Sequence, residues 1–236
     1  MAWLFQGYKY IWYQGMGLMQ AILSWLSFEG FIQTLNILAT VTLAVSGVLQ
    51  AARHQLDFFG ALVLACVCAL GGGTLRDLLI GATPVFWATN LLYLNIIIPT
   101  TLLSILLVRL IPPGRGIRLR LLDIADAAGL ALFAILGAQK TLQLGLSAPV
   151  AVVMGVITGI AGGMIRDMLT ATTPAVMRSE LYASAAISGA VVYTLLDQVL
   201  PEVPAILIGM AVVFLIRLAA IYWRLGLPVV KLNLKD

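Results

Sequence analysis

The 236-residue chain is 61% hydrophobic and 10% charged, and its net charge is +4. Soluble domains average about 45–50% apolar and about 25% charged residues, so this composition excludes an ordinary soluble domain and indicates an integral membrane protein. The sequence contains no HExxH, Walker A or G-x-S-x-G motif and no Cys/His cluster. We therefore predict no enzymatic activity, no cofactor, no nucleic-acid partner and no bound metal beyond transient monovalent cations.

The N-terminal segment differs from the rest of the chain. It is rich in aromatic residues such as Trp3, Tyr8 and Trp12, and polar residues interrupt it. Trp and Tyr favour the membrane–water interface, so residues 1–32 are predicted to be an interfacial or disordered leader. The alternative is that residues 10–29 form an additional span.

Seven apolar runs follow, and turns rich in Gly, Pro and charged residues separate them. A membrane-spanning helix needs about 20 mostly apolar residues, so we predict an all-α protein with seven transmembrane helices. The runs are 35–51, 58–70, 87–110, 124–140, 150–161, 178–196 and 205–222.

An internal repeat is visible when the sequence is shifted by 90 residues. The shift superimposes two Gly-Gly pairs, two Arg-Asp pairs and two Thr-Pro pairs without a gap. The pairs are Gly72-Gly73 with Gly162-Gly163, Arg76-Asp77 with Arg166-Asp167, and Thr83-Pro84 with Thr173-Pro174. Three spans reverse the direction of the next copy, which predicts inverted repeats. The predicted segments are repeat 33–112, inverted repeat 121–200, a seventh helix at 203–224 and a cytoplasmic tail at 225–236.

Basic residues set the predicted orientation. Arg109, Arg115, Arg118 and Arg120 cluster in and beside the loop between the third and fourth spans. Cytoplasmic loops carry an excess of Lys and Arg, so we expect this loop and the C-terminus in the cytoplasm and the N-terminus outside.

Glycines interrupt the second and fifth spans. We predict that helices 2 and 5 break there and line a binding or conduction site, because broken helices at membrane depth need a cavity or protein groups to satisfy their backbone. The alternative is close helix packing, for which membrane helices also use small residues. The residues concerned are Gly71, Gly72, Gly73, Thr74, Gly162 and Gly163.

Charged residues follow both glycine clusters. Arg76, Asp77, Arg166 and Asp167 are expected either to pair across the repeat interface or to attract and gate cations, because intramembrane charge is costly. A third reading is that these side chains lie at helix ends near the membrane interface and snorkel toward water.

Two further charges lie in the fourth span. Asp126 aligns with Asn36 in the first repeat, so a polar group recurs at that level. Lys140 closes the span, where it either reaches the cavity or snorkels. We include both among the candidate residues of an ion path or gate.

The doubled motif resembles a known family. GGGTLRD at Gly71–Asp77 and AGGMIRD at Ala161–Asp167, each followed by a proline, are similar to the bacterial TRIC family of trimeric intracellular cation channels, also classed as a glycine-transporter domain family. The resemblance implies a homotrimer with one potassium-permeable pore per protomer, between kinked helices 2 and 5. Ala161 replaces the first glycine of the triplet, so the second kink is expected to be weaker.

Two functions therefore stay open. The first is a passive monovalent cation channel in the inner membrane of a bacterial or archaeal cell. The second is a secondary transporter of glycine or another small solute, because inverted repeats with broken helices also serve transporters. A scaffold without conduction is a third alternative.

Overall fold

This computed structural model describes residues 27–110, 115–177, 181–223 and 225. These residues form eight α-helices and one 3-10 turn, with no strand among them, which confirms the predicted all-α membrane fold. The helices are α1 (Phe28–Arg53), α2 (Phe58–Leu79), α3 (Phe86–Thr89), α4 (Leu92–Leu110), α5 (Arg115–Gln143), α6 (Ala148–Leu169), α7 (Ala183–Leu196) and α8 (Glu202–Trp223), and the 3-10 turn is Ala175–Met177.

Six of these helices are long and apolar enough to cross a membrane, and α7 is a shorter apolar helix. The predicted sixth span was 178–196, whereas α7 begins at Ala183, after a buried Tyr182. Residues 178–180 lie outside the described residues, as do residues 1–26 of the predicted leader and residues 226–236 of the predicted tail. Helix α1 begins at Phe28, so the first span is longer than residues 35–51.

The chain divides into two compact units, Met1–Leu35 and Asn36–Asp236. In the described part of the first unit, the Ser27 hydroxyl oxygen accepts a hydrogen bond from the Gly30 N–H at 3.2 Å and starts the helix. The second unit contains every residue of the candidate site.

The backbone carries the predicted repeat. Positive φ angles occur at Gln55 and at Gly145, which are 90 residues apart and end the first turn region of each copy. The same spacing separates Gly81 from Ala171, which follow α2 and α6. Left-handed residues at matching positions show that the two copies share their turns, not only their sequence motifs.

The glycines do not interrupt the helices. Helix α2 starts at Asp57, whose carboxylate accepts a hydrogen bond from the Gly60 N–H at 2.7 Å, and it stays α-helical through the triplet to Leu79. Helix α6 likewise continues through Gly162 to Leu169. The break expected at these positions is absent, because a helical glycine costs only about 1 kcal/mol relative to alanine and the close packing described next offsets that cost.

The glycines instead bring α2 and α6 together. A methyl group on Gly72 would overlap the Thr158 carbonyl oxygen, and a methyl group on Gly162 would overlap the Cys68 carbonyl oxygen. The contacts are reciprocal and 90 residues apart, so the helices run antiparallel and cross near residues 70 and 160. This places the carboxyl ends of α2 and α6 at opposite ends of the bundle.

Substituting Gly72 by alanine should destabilise the fold. The neighbouring atoms at this contact are backbone, which cannot rotate away, so we expect a loss of about 1–3 kcal/mol, typical of overpacking. The measurement is the thermal unfolding midpoint in one detergent.

The matched control is Gly116→Ala, because nothing lies within 4 Å of a methyl group built there. Alanine should leave the midpoint unchanged or raise it, since it favours helix. Equal midpoints for the two variants would contradict the helix crossing described above.

Candidate functional site

The first Arg-Asp pair forms an ion cluster at the carboxyl end of α2, here called the Asp77 cluster (Arg76, Asp77, Lys140 and Phe86). The Asp77 Oδ1 atom accepts from Arg76 Nε at 2.9 Å and from Lys140 Nζ at 2.8 Å. The Asp77 side chain is fully buried, whereas that of Lys140 is 32% exposed. The cluster contains two cations and one carboxylate, so its formal charge is +1.

The second pair forms the Asp167 cluster (Ser46, Asp126, Arg166 and Asp167) at the carboxyl end of α6. Arg166 donates from Nε to Asp167 Oδ1 at 2.9 Å and from Nη1 to Asp126 Oδ1 at 2.8 Å. Its Nη1 also donates to the Ser46 hydroxyl oxygen. All three charged side chains are at most 8% exposed, and the formal charge is −1.

Both aspartates also bind the start of the next short helix. The Asp77 Oδ2 atom accepts from the Phe86 N–H at 2.9 Å, and Phe86 opens α3. The Asp167 Oδ2 atom accepts from the Ala175 N–H at 3.3 Å, and Ala175 opens the 3-10 turn. Each carboxylate therefore neutralises an arginine through one oxygen and holds the returning chain through the other.

The two clusters lie on opposite sides of the α2–α6 crossing. Arg76 and Arg166 are each six residues beyond the crossing, which is about 9 Å at 1.5 Å per residue, so roughly 18 Å separates the clusters along the helix axes. The hydrocarbon core of a bilayer is about 30 Å thick. A crossing at the centre of the bilayer places both clusters inside the hydrocarbon core, where buried charges need ion-pair partners.

A polar cavity adjoins the Asp167 cluster. Its volume is about 230 Å³, which is large enough to hold water. It lies between the carboxyl ends of α1 and α6, the amino end of α5, and α8. The charged residues of its lining are Arg53, Asp123, Asp126, Arg166, Asp167 and Arg217.

Comparison with known proteins decides the family. The family model described as Glycine transporter matches residues 33–109 and again residues 123–198. The UPF0126 membrane protein of Vibrio cholerae is 47% identical over 197 residues, which are 82% of this chain and 80% of that protein. The inner membrane protein YadS of Escherichia coli is 42% identical over 201 residues, which are 84% of this chain and 96% of that protein.

A solved structure shares both the fold and the sequence. The TRIC trimeric intracellular cation channel orthologue from Rhodobacter sphaeroides superimposes with a TM-score of 0.78 at 35% identity, covering 83% of this chain and 99% of that one. This chain belongs to the TRIC-type family. The expected resemblance is thereby confirmed, and the Glycine transporter model matches each of the two repeats once.

The ion pairs of this TRIC-type chain differ from the predicted pairing. Each arginine pairs with the aspartate next to it, within one repeat, not across the repeat interface. Contacts that do cross between repeats include those of Lys140, which reaches Asp77, and of Ser46, which accepts from Arg166. Lys140 therefore joins the Asp77 cluster, whereas its place in an ion path stays a prediction.

Thr74 and the glycines occupy structural positions. The Thr74 hydroxyl oxygen accepts from Trp87 Nε1 at 2.9 Å, which ties α2 to α3. Gly73 packs against the Phe86 ring, and Gly163 faces Asp126 and Tyr182. Gly71 lies at the α2–α6 contact. Their assignment as pore or kink residues stays a prediction, whereas their close packing is observed.

Sequence reasoning missed two residues at the Asp167 end, Ser46 and Arg217. Ser46 lies in α1 with no motif around it. Arg217 lies in α8 and stacks over the Tyr182 ring with its guanidinium carbon 4.6 Å from the ring centre. An arginine in the middle of an apolar span was a signal for Arg217, because such charges are usually functional.

Removing Asp126 should destabilise the protein strongly. The Asp126→Asn variant leaves the buried Arg166 with one carboxylate fewer, and breaking a buried pair costs about 3–5 kcal/mol. The measurement is again the thermal unfolding midpoint in detergent.

Lys140→Gln provides the comparison, because the lysine is partly exposed and Asp77 keeps both Arg76 and the Phe86 amide. We expect a cost of about 1 kcal/mol or less from this pair. A smaller loss of thermal stability in Asp126→Asn than in Lys140→Gln would contradict the conclusion that the buried pair of Arg166 with Asp126 is the stronger of the two.

Proposed function

We propose that this protein is a potassium-permeable monovalent cation channel, assembled as a homotrimer with one pore in each protomer. The Rhodobacter sphaeroides relative, described as a trimeric cation channel, supports the proposal through shared fold and 35% identity. The observation that carries it is the placement of two charge clusters on either side of one helix crossing, with a polar cavity at one of them.

The proposed ion path follows α2 and α6. A cation in the polar cavity meets Asp126 and Asp167, whose cluster has a formal charge of −1. At the other end it meets the Asp77 cluster, whose charge is +1 while Lys140 stays bound. In this proposal the described arrangement is the closed state, because α2 and α6 touch at Gly72 and the carboxylates of Asp77 and Asp167 are paired with arginines.

Lys140 is the proposed movable part of the gate. Its side chain is partly exposed, and its ammonium group donates to one carboxylate oxygen of Asp77. Arg166, in contrast, donates to two carboxylates and a hydroxyl and is almost fully buried. Release of Lys140 would leave Asp77 paired with Arg76 alone, which lowers the formal charge at that end to zero.

Replacing Lys140 by glutamine should raise potassium flux. A fixed unit charge about 4 Å from a cation costs about 4 kcal/mol at an effective dielectric of 20, and each 1.36 kcal/mol is a factor of ten in rate. After generous screening we expect at least about a tenfold increase, measured as potassium efflux from liposomes that contain purified protein.

Lys140→Arg is the matched control, because it keeps the charge and should leave flux within about twofold of the parent protein. Both variants are reconstituted at the same ratio of protein to lipid, and their thermal unfolding midpoints confirm that they are folded. Unchanged flux in Lys140→Gln would exclude this lysine from the path.

A glycine transporter is the second candidate. The cavity of about 230 Å³ contains side chains of both signs, which suits a small zwitterion, and the matching family model is described as Glycine transporter. The same liposomes separate the two functions. Potassium exchange without uptake of labelled glycine supports the channel, whereas saturable glycine uptake driven by an ion gradient supports the transporter.

We also propose that the end of the bundle with Arg53, Arg109, Arg118 and Arg120 faces the cytoplasm. Leu56 and Leu146 test this orientation. Both are exposed and lie in matching turns 90 residues apart, and the inversion of the repeats puts these turns on opposite sides of the membrane. Leu146→Cys should react with a membrane-impermeant maleimide in intact cells, whereas Leu56→Cys should react only after lysis.

The labelling uses a background in which Cys66 and Cys68 are serine, since these are the cysteines of the chain. Labelling of Leu56→Cys in intact cells, with Leu146→Cys protected, would invert the proposed topology.

A further inference from the structure

A second cavity lies between α1, α2, α4 and α5, and it shares no lining residue with the cavity at the Asp167 cluster. Its volume is about 370 Å³, within the roughly 300–1,000 Å³ range of small-molecule sites. Its floor is apolar and consists of Val48, Ala52, Ala61, Ile105 and Val108. We call this cavity the Arg118 groove.

The rim of the groove combines apolar and basic side chains. Phe58 is 52% exposed at the start of α2, on a helix that qualifies as a membrane span, so this side of the rim suits lipid. Arg109 and Arg118 contribute the basic side. Arg118 donates from Nη2 to the Val108 carbonyl oxygen at 3.2 Å, which fixes its guanidinium beside the end of α4.

The acidic residue at the rim is already engaged. Asp57 lines the groove, but its carboxylate accepts from the Gly60 N–H at 2.7 Å and caps α2. Two arginines against one capping carboxylate leave a positive rim above an apolar floor. The surrounding helix ends add Arg53 and Arg120 to the basic side chains near the groove.

We propose that the Arg118 groove binds an anionic phospholipid. Its phosphate would lie against Arg109 and Arg118, and one acyl chain would lie along the floor from Ala52 to Val108. A guanidinium binds phosphate through two parallel N–H groups, and basic pockets between membrane helices are suited to acidic headgroups. The proposal does not depend on conduction, since it needs only a membrane-embedded protein.

A second copy of the chain fits the groove less well. Copies in one membrane that are related by an axis along the membrane normal place like ends side by side, so the basic end would meet another basic end. A free phosphate would leave the apolar floor in contact with water, which is unfavourable. A lipid satisfies both the rim and the floor.

The test measures binding of phosphatidylglycerol to the purified full-length protein in detergent by native mass spectrometry, with phosphatidylcholine as the neutral lipid. Each of Arg109→Gln and Arg118→Gln should weaken phosphatidylglycerol binding about fivefold, in line with the value of one basic residue near an anionic surface. Binding of phosphatidylcholine should stay within about twofold.

Arg120→Gln is the charge-matched control, because Arg120 is exposed on the same helix and does not line the groove. It should leave phosphatidylglycerol binding within about twofold. Ala52→Phe fills the floor and keeps every arginine, and it should also reduce binding at least about fivefold. Thermal unfolding midpoints confirm that each variant is folded. If Ala52→Phe does not fold, the arginine variants decide the test.

Three outcomes would overturn the proposal. Equal loss in Arg120→Gln and Arg118→Gln would show diffuse surface charge. Displacement of phosphatidylglycerol by millimolar inorganic phosphate would show a headgroup site without a chain. A changed oligomer mass in Ala52→Phe with unchanged lipid binding would show that a second copy occupies the groove.

Discussion

The backbone contact between α2 and α6 determines the geometry of the rest of the molecule. Glycine lacks a Cβ atom, so Gly72 and Gly162 let each helix approach a carbonyl group of the other. The crossing fixes where the two carboxyl ends lie, and each end carries an Arg-Asp pair. With this spacing, Lys140 reaches Asp77 and Ser46 accepts from Arg166.

The aspartates also lower the cost of burying charged side chains in membrane-spanning helices. A charged side chain at the centre of a span costs about 2.5–3.5 kcal/mol on insertion scales. Asp77 and Asp167 offset that cost by pairing with their neighbouring arginines, and their second oxygens bind the first amides of α3 and of the 3-10 turn. The same carboxylates therefore satisfy both a buried cation and the backbone where the chain turns back.

Much of the fold could be predicted, because the repeat leaves several independent signals in the sequence. A 90-residue shift aligns the motifs, and the structure repeats that spacing in the turns at Gln55 and Gly145. The state of the glycine-rich helices could not be predicted, since the same glycines permit either a break or a close contact and only the packed partner decides. Ser46 could not be found either, because its place beside Arg166 depends on the rotation of α1 about its axis.

The repeats are alike in backbone but not in charge. Lys140 corresponds to Gln50, and Asp126 corresponds to Asn36, so each substitution places its charge at a different end. Gln50 binds the Thr170 and Thr172 hydroxyls instead of a carboxylate. Identical repeats would give both clusters the same formal charge, whereas these two differences make the Asp167 cluster −1 and the Asp77 cluster +1. The two clusters therefore differ in charge through these few side chains, although the Arg-Asp pairs and the turns recur at matching positions in both repeats.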